Sequence, residues 1–397
     1  MKKQAFYDNV PQGMKSLLYI WWQELKNVVK DQGVLIFFIL VPLGYPLLYT
    51  FIYTNETVHE VPAAVVDNNR SSLSREYLRL VDASADLDIV SYCSDLEEAK
   101  SLMASGKVYG IIYVPESFSR DIAKGIQTRV TLYCDMSGML YYKAMLTANT
   151  NASLTMNKQI KIERSGNTTD RQDEVSTAPI DYEDVSLFNP QNGFASFLIP
   201  AVLMLIIQQT LLLGTGLLAG TAREHNLSHG LIPTGSHYQG IIPHVVLGKS
   251  LAYFMIYAVM ATYMICLVPR IFSLVQISQA GTLAAFMLPY LLACIFFAMT
   301  CSVFIHQREA CMMIYVFTSV PLLFISGISW PGSAIPEFWK IVSYIFPSTF
   351  GINGFVRINT MGATLADVLS EHRALWIQTG IYFLTSYLVY RHKLKGL

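Results

Sequence analysis

Charge is what this sequence has least of. Asp, Glu, Lys and Arg make up 14% of its 397 residues, where a soluble globular domain carries about 25%. The 28 basic and 28 acidic residues cancel, so there is no net charge to draw nucleic acid or another polyanion. Chemical signatures are lacking too. No His-Glu-x-x-His, Cys-x-x-Cys or Gly-x-Ser-x-Gly occurs, which removes the common metal and serine-hydrolase routes. Gly248-Lys249-Ser250 looks like the end of a phosphate loop, but Pro243 stands where that loop needs its first glycine. His225, His229, His237 and His244 share one loop without the cysteine or carboxylate pattern of a metal site. Cysteine is sparse. Cys266, Cys294, Cys301 and Cys311 fall in or beside apolar runs and read as small apolar side chains. Cys93 and Cys134 fall in a polar region, and a disulfide between them stays open because spacing fixes no Cα distance.

Long apolar runs are what the chain does have. Six, at about 33–53, 194–220, 245–268, 281–305, 311–328 and 374–390, are long enough to cross a hydrocarbon core. Apart from Lys249 near one edge, none holds an ionisable residue away from its ends. With no water to serve backbone groups inside a bilayer, such runs must be helices. Ion-coupled carriers keep ionisable groups deep in their spans, so transport against a gradient would here draw energy from a partner.

Orientation follows from the excess of Lys and Arg on cytoplasmic segments. With the N-terminus inside, the inner segments hold Lys2, Lys3, Lys15, Lys26, Lys30, Arg223, Lys249, Arg308, Arg391, Lys393 and Lys395. The short outer loops hold only Arg270, Lys340, Arg357 and Arg373, so both termini read as cytoplasmic. The first run follows some thirty residues and reads as an uncleaved anchor.

Residues 14–30 form an amphipathic helix, with Leu18, Trp21, Trp22, Leu25, Val28 and Val29 on one face and lysines on the other. Trp21 and Trp22 beside Lys26 and Lys30 suit a helix lying in the headgroup layer. Asp31 can cap the next helix, and Pro42 and Pro46 predict a kink in it. From residue 61 the pattern changes. Short strands at 61–67, 87–93, 108–114 and 130–135 alternate with polar helices, then a long helix covers about 141–163, which implies an α/β domain. Residues 164–186 read as a loose polar linker. The fold class is thus an α-helical polytopic membrane protein: six transmembrane helices with an extracytoplasmic α/β domain inserted after the first. The boundaries are an interfacial N-terminus (1–32), helix one (33–53), the outer domain and linker (54–190) and a five-helix part (191–397).

Phe324-Ile325-Ser326-Gly327, followed by Pro331, Pro336 and Pro347, resembles the F-x-S-G end of the fifth span and the proline-rich outer segment of the membrane subunit of type-2 ABC exporters, the ABC-2 family. The order of elements also resembles the subgroup with a large outer domain between spans one and two. The resemblance implies a chain without a catalytic site or cofactor of its own, ATP and Mg being bound by separate ABC ATPase subunits. It implies pairing with a second permease copy or a paralogue, in a bacterial inner membrane with the large domain periplasmic. A periplasmic adaptor, an outer-membrane channel and membrane lipid are the further partners it implies. In similar exporters a short cytoplasmic helix docks on the ATPase. Here the loop 221–249 offers Arg223, Glu224, His225, Leu227 and Leu231, with Asn226-Leu227 where the family often has Gly-Thr. The segment 329–373 is expected to dip back toward the bilayer. The expected function is export of a hydrophobic or amphiphilic substrate, and the rival is a non-transporting signalling or ligand-binding scaffold.

Overall fold

The computed structural model describes residues 12–53, 57–166, 169–180, 185–190, 193–224 and 242–395. The chain divides into two compact units, one of residues 1–56 with 186–397 and one of residues 57–185.

The first unit opens with α1 (Gln12–Lys30) and α2 (Gln32–Ile52). Asp31 separates them as expected, its carboxylate accepting from the Gly33 and Val34 amides. In place of a simple proline kink, α2 carries a π-helical turn at Ile36–Leu40 just before Pro42. Pro42 has no N–H for the Phe38 carbonyl, and a wider turn absorbs the mismatch.

The unit 57–185 holds β1 (Val61–Asp67), α3 (Ser72–Asp82), β2 (Leu87–Tyr92), α4 (Leu96–Ala104), β3 (Gly110–Val114), α5 (Phe118–Ala123), β4 (Thr131–Cys134), α6 (Met139–Ser165) and α7 (Asp170–Thr177). The sheet order is β2-β1-β3-β4; β1 runs parallel to β2 and β3, and β4 is antiparallel to β3. β1 is buried on both faces, hence its near-continuous apolar run. One face, with Ala63, Val65, Ile112 and Val114, packs with α3 and the Met145 side of α6; the other, with Ala64, Val66 and Ile111, packs with α4. Cys93 follows one edge strand and Cys134 lies on the opposite one. Three strand spacings, about 14 Å, exceed the roughly 7 Å a disulfide can bridge, and both thiols are free. Within the polar 164–186 stretch, Asp170–Thr177 is helical where a loose linker was expected, because Thr169 and Gln172 form a capping box that starts α7.

The remaining helices are α8 (Phe194–Glu224), α9 (Ile242–Ile271), α10 (Ala280–Ser302), α11 (Arg308–Ile325), α12 (Glu337–Ser343), α13 (Pro347–Met361) and α14 (Leu369–Lys395). Among the described residues, five helices are long and apolar enough to cross a membrane: α2, α8, α9, α10 and α11. The sixth run, 374–390, lies inside α14, which is long enough but diluted by Gln378, Thr379, Thr385 and Ser386. α8 is the axis. Of its most apolar stretch 89% is buried, against 22% for α2 and 17% for α11. The proline-rich segment forms a 3-10 turn (Gly332–Ala334), α12 and α13, each begun by a proline: Pro331, Pro336 and Pro347. A proline at a helix start loses no intrahelical bond.

Candidate functional site

Buried polar and charged side chains gather in three places in the first unit. The first joins α1 to α9. Ile20, Glu24 and Val28 recur every fourth residue and form the strip of α1 that is buried against α9. Glu24 in that strip meets Lys249 at 3.1 Å, and Tyr253 donates a hydrogen bond to the same carboxylate. Both charges are almost wholly buried, so each depends on the other. Removing one partner of such a pair costs about 3–5 kcal/mol. Lys249 is therefore a partner for Glu24 inside a helix, not a phosphate-loop lysine. The other side of α1 stays uncovered: Trp22 is exposed and Lys26 sits 5.5 Å over its ring. Trp21 is half-buried and Lys30 exposed. The face free to meet lipid is thus narrower than the apolar pattern implies, since part of the helix is spent on protein.

The second place is a knot where α2 and α11 begin and α8 ends. Arg308 clamps Asp31 through two nitrogens, at 2.7 Å to Oδ1 and 3.1 Å to Oδ2. Thr221 donates to Asp31 at 3.0 Å and accepts from Arg308 at 2.9 Å. Glu224 accepts from the Arg308 backbone N–H at 2.7 Å and so caps α11. Gly220 makes the approach feasible, because a Cβ there would stand 3.0 Å from Arg308 backbone atoms. Burial raises the Asp31 carboxyl, but hydrogen bonds from Arg308, Thr221 and the Val34 amide outweigh it and hold the group below its ordinary value. Of the five expected coupling residues, Arg223 donates to the Val303 carbonyl and Glu224 caps α11, so both are engaged within the chain. His225, Leu227 and Leu231 lie outside the described residues.

The third place is the interior of the helix bundle. There α8 buries neutral polar side chains, Gln208, Gln209, Thr210 and Thr215. The Gln208 carbonyl accepts from the Ser348 amide at 2.7 Å, and Tyr257 donates to Thr210 at 2.9 Å. Gln209 is 94% buried, and among the described residues neither of its amide atoms has a partner. Leaving an amide so costs about 1–3 kcal/mol.

At the far end of α11, Ser326 is buried as the C-cap and Gly327 has φ +88°. A Cβ there would meet Gly332 only at an ordinary 3.5 Å, so its need for glycine is conformational. Phe324 is exposed. Pro331, Pro336 and Pro347 start the three short segments that follow, and Asn353 of α13 donates to the Ser326 carbonyl at 3.1 Å.

Asp31 was legible as a cap, but no motif marks Glu24, Thr221 or Arg308. Two signals were present in the sequence: an acid at the i+4 step of an apolar strip, and the Gly214-x-Gly216-x-x-x-Gly220 spacing that permits close helix packing. Across known proteins, a family model described as ABC-2 family transporter protein matches residues 33–388, nearly the whole chain. No curated protein matches.

Proposed function

The chain belongs to the ABC-2 family of transporter proteins, and from that membership we propose that it is the permease half of an ATP-driven exporter. As a member of the family it is a membrane subunit of an ABC transporter, which associates with ABC ATPase subunits and is not itself the catalytic chain. Beyond this, the reading is that two permeases pair across α2 and α11, with α14 as a sixth span, both termini in the cytoplasm and the 57–185 unit in the periplasm of a bacterial inner membrane. The cargo is hydrophobic or amphiphilic, and an adaptor and outer-membrane channel extend the path.

The observation that carries this reading is the contrast in burial. Two apolar helices, α2 and α11, are left largely uncovered, and both start from the charge knot at which α8 ends. A displacement applied at that end would move three spans together. The surface that docks on the ATPase is the 221–249 loop, near whose start Arg223 and Glu224 tie the end of α8 to α11 and the α10–α11 turn. Orientation draws on the charge bias.

The test is cysteine chemistry in intact cells. With Phe317→Cys on the exposed face of α11, a bismaleimide should trap a dimer that copurifies with an ATPase. Ser105→Cys should label from outside with an impermeant reagent and Met14→Cys should not. Monomer alone would remove the pairing, and reversed labelling would remove the topology. A signalling scaffold would copurify with no ATPase.

A further inference from the structure

The hairpin between α9 and α10 lines a half-open cavity of about 310 Å3. Its lining has two characters. Leu274 and Leu283 make an apolar wall, while Arg270, Ser273 and Ser278 present a cation and two hydroxyls. Among the described residues Arg270 makes no ion pair. No Asp or Glu occurs in the sequence between Glu224 and Glu309. The Ile277 amide bonds to the Asn359 carbonyl and brings the end of α13 alongside, but the acids that follow it are committed. Glu371 pairs with Arg357 at 3.4 Å, and Asp367 accepts from Thr364 at 2.7 Å.

The cavity walls are held by bonds of their own. Pro269 cannot serve the Ile265 carbonyl, and the Gln276 side chain does so instead at 2.9 Å, pinning the loop back on α9. A π-helical turn at Tyr263–Leu267 precedes that proline. On the opposite rim α10 begins at Ala280 after Gln279, whose side chain makes no cap, so the positive end of a 23-residue helix adds to the charge of Arg270. The hairpin joins two membrane-spanning helices, which puts it at headgroup depth, where a forked cation beside apolar wall meets phosphate above and hydrocarbon below.

We propose that this cavity binds a phosphate group, carried by an anionic lipid headgroup or by a soluble phosphate ester. Arg270 is the charge partner, Ser273 and Ser278 are hydroxyl donors, and Leu274 with Leu283 receives the apolar part of the ligand.

The experiment is thermal unfolding of the purified full-length chain with its ATPase, titrated separately with phosphatidylglycerol, phosphatidylcholine and glycerol 3-phosphate. Phosphatidylglycerol, glycerol 3-phosphate or both should raise the melting temperature, and phosphatidylcholine should not match them. Arg270→Gln should weaken the responding ligand by about tenfold, the loss expected for one charge-assisted contact. Ala280→Trp, which fills the cavity from its rim and leaves the cation in place, should weaken it as well and carries the test if Arg270→Gln does not purify. A response to phosphatidylglycerol alone assigns the site to lipid, and one to glycerol 3-phosphate alone assigns it to a soluble ester. Equal responses to phosphatidylglycerol and phosphatidylcholine, responses unchanged in both variants, or no response to either phosphate carrier would overturn the proposal.

Discussion

Glu24 and Asp31 are seven residues apart, and each waits for a cation far along the chain: Lys249 for one, Arg308 for the other. The two pairs differ in what they can tolerate. The Glu24 pair is nearly dry, so Lys249→Met should cost about 3–5 kcal/mol by stranding a carboxylate, whereas Glu24→Gln with Lys249→Met together should recover much of that. Melting of the purified single and double variants checks this. The Asp31 pair is partly wet, and its value depends on pH. Its folded carboxyl is held below the ordinary range by Arg308, Thr221 and the Val34 amide despite burial. A depressed folded value contributes stability above the unfolded value, lost as pH falls through the folded one. The native protein should therefore lose melting temperature below about pH 4, and Asp31→Asn should be less sensitive in that window. Gln209 poses the opposite question. If its unpaired amide has no task, Gln209→Leu should stabilise by about 1–3 kcal/mol at no loss of transport. If it contacts cargo, stability rises and transport falls, which paired melting and transport measurements distinguish.

Helix ends and turns carry the strain of this fold. α11 is fixed at its start by Glu224 and at its finish by Gly327 in a left-handed conformation. The glycine requirement is a backbone one, so Gly327→Val should destabilise by about 1–3 kcal/mol and Gly327→Asn by less, because Asn enters that region more readily. Equal melting temperatures for the two variants would mean the turn relaxes. Gly220 faces a tighter limit, since Arg308 backbone atoms cannot rotate away as a side chain can. Gly220→Leu should move the start of α11 off α8 and break the Arg308 clamp on Asp31, which loss of bismaleimide trapping at Phe317→Cys would report. π-helical turns precede Pro42 in α2 and Pro269 in α9, two spans where a proline was visible in the sequence but the wide turn upstream was not. The proline shows which hydrogen bond is missing. How the carbonyl is then served depends on neighbours such as Gln276.

For the whole molecule, the clearest division is between the helical unit and the 57–185 unit. The latter has a core on both faces of its sheet, with Val65, Ile112 and Met145 on one side and Val66, Ile111 and Ala99 on the other. Expressed alone, residues 57–185 should melt in one cooperative transition, with near-UV circular dichroism lost together with secondary structure; a non-cooperative melt would mean that its folding needs the rest of the chain. By itself the sequence determined what local pattern and solvent preference can determine. Apolar length marked six runs, five of which are helices long and apolar enough to cross a membrane among the described residues; period-two and period-3.6 patterns placed β1 to α6 of the 57–185 unit to within two residues; and Asp31 was legible as a cap because capping is a contact between near neighbours. What only the tertiary structure decided are contacts between residues far apart in the chain. That Glu24 faces Lys249 across 225 positions, that Arg308 reaches Asp31 across 277, and that Cys93 and Cys134 stand on opposite edges follow from how the elements pack. A charge on a helix face is equally stable solvated or paired as far as local pattern can tell, and only the packing of another element against that face removes the water and makes the partner necessary.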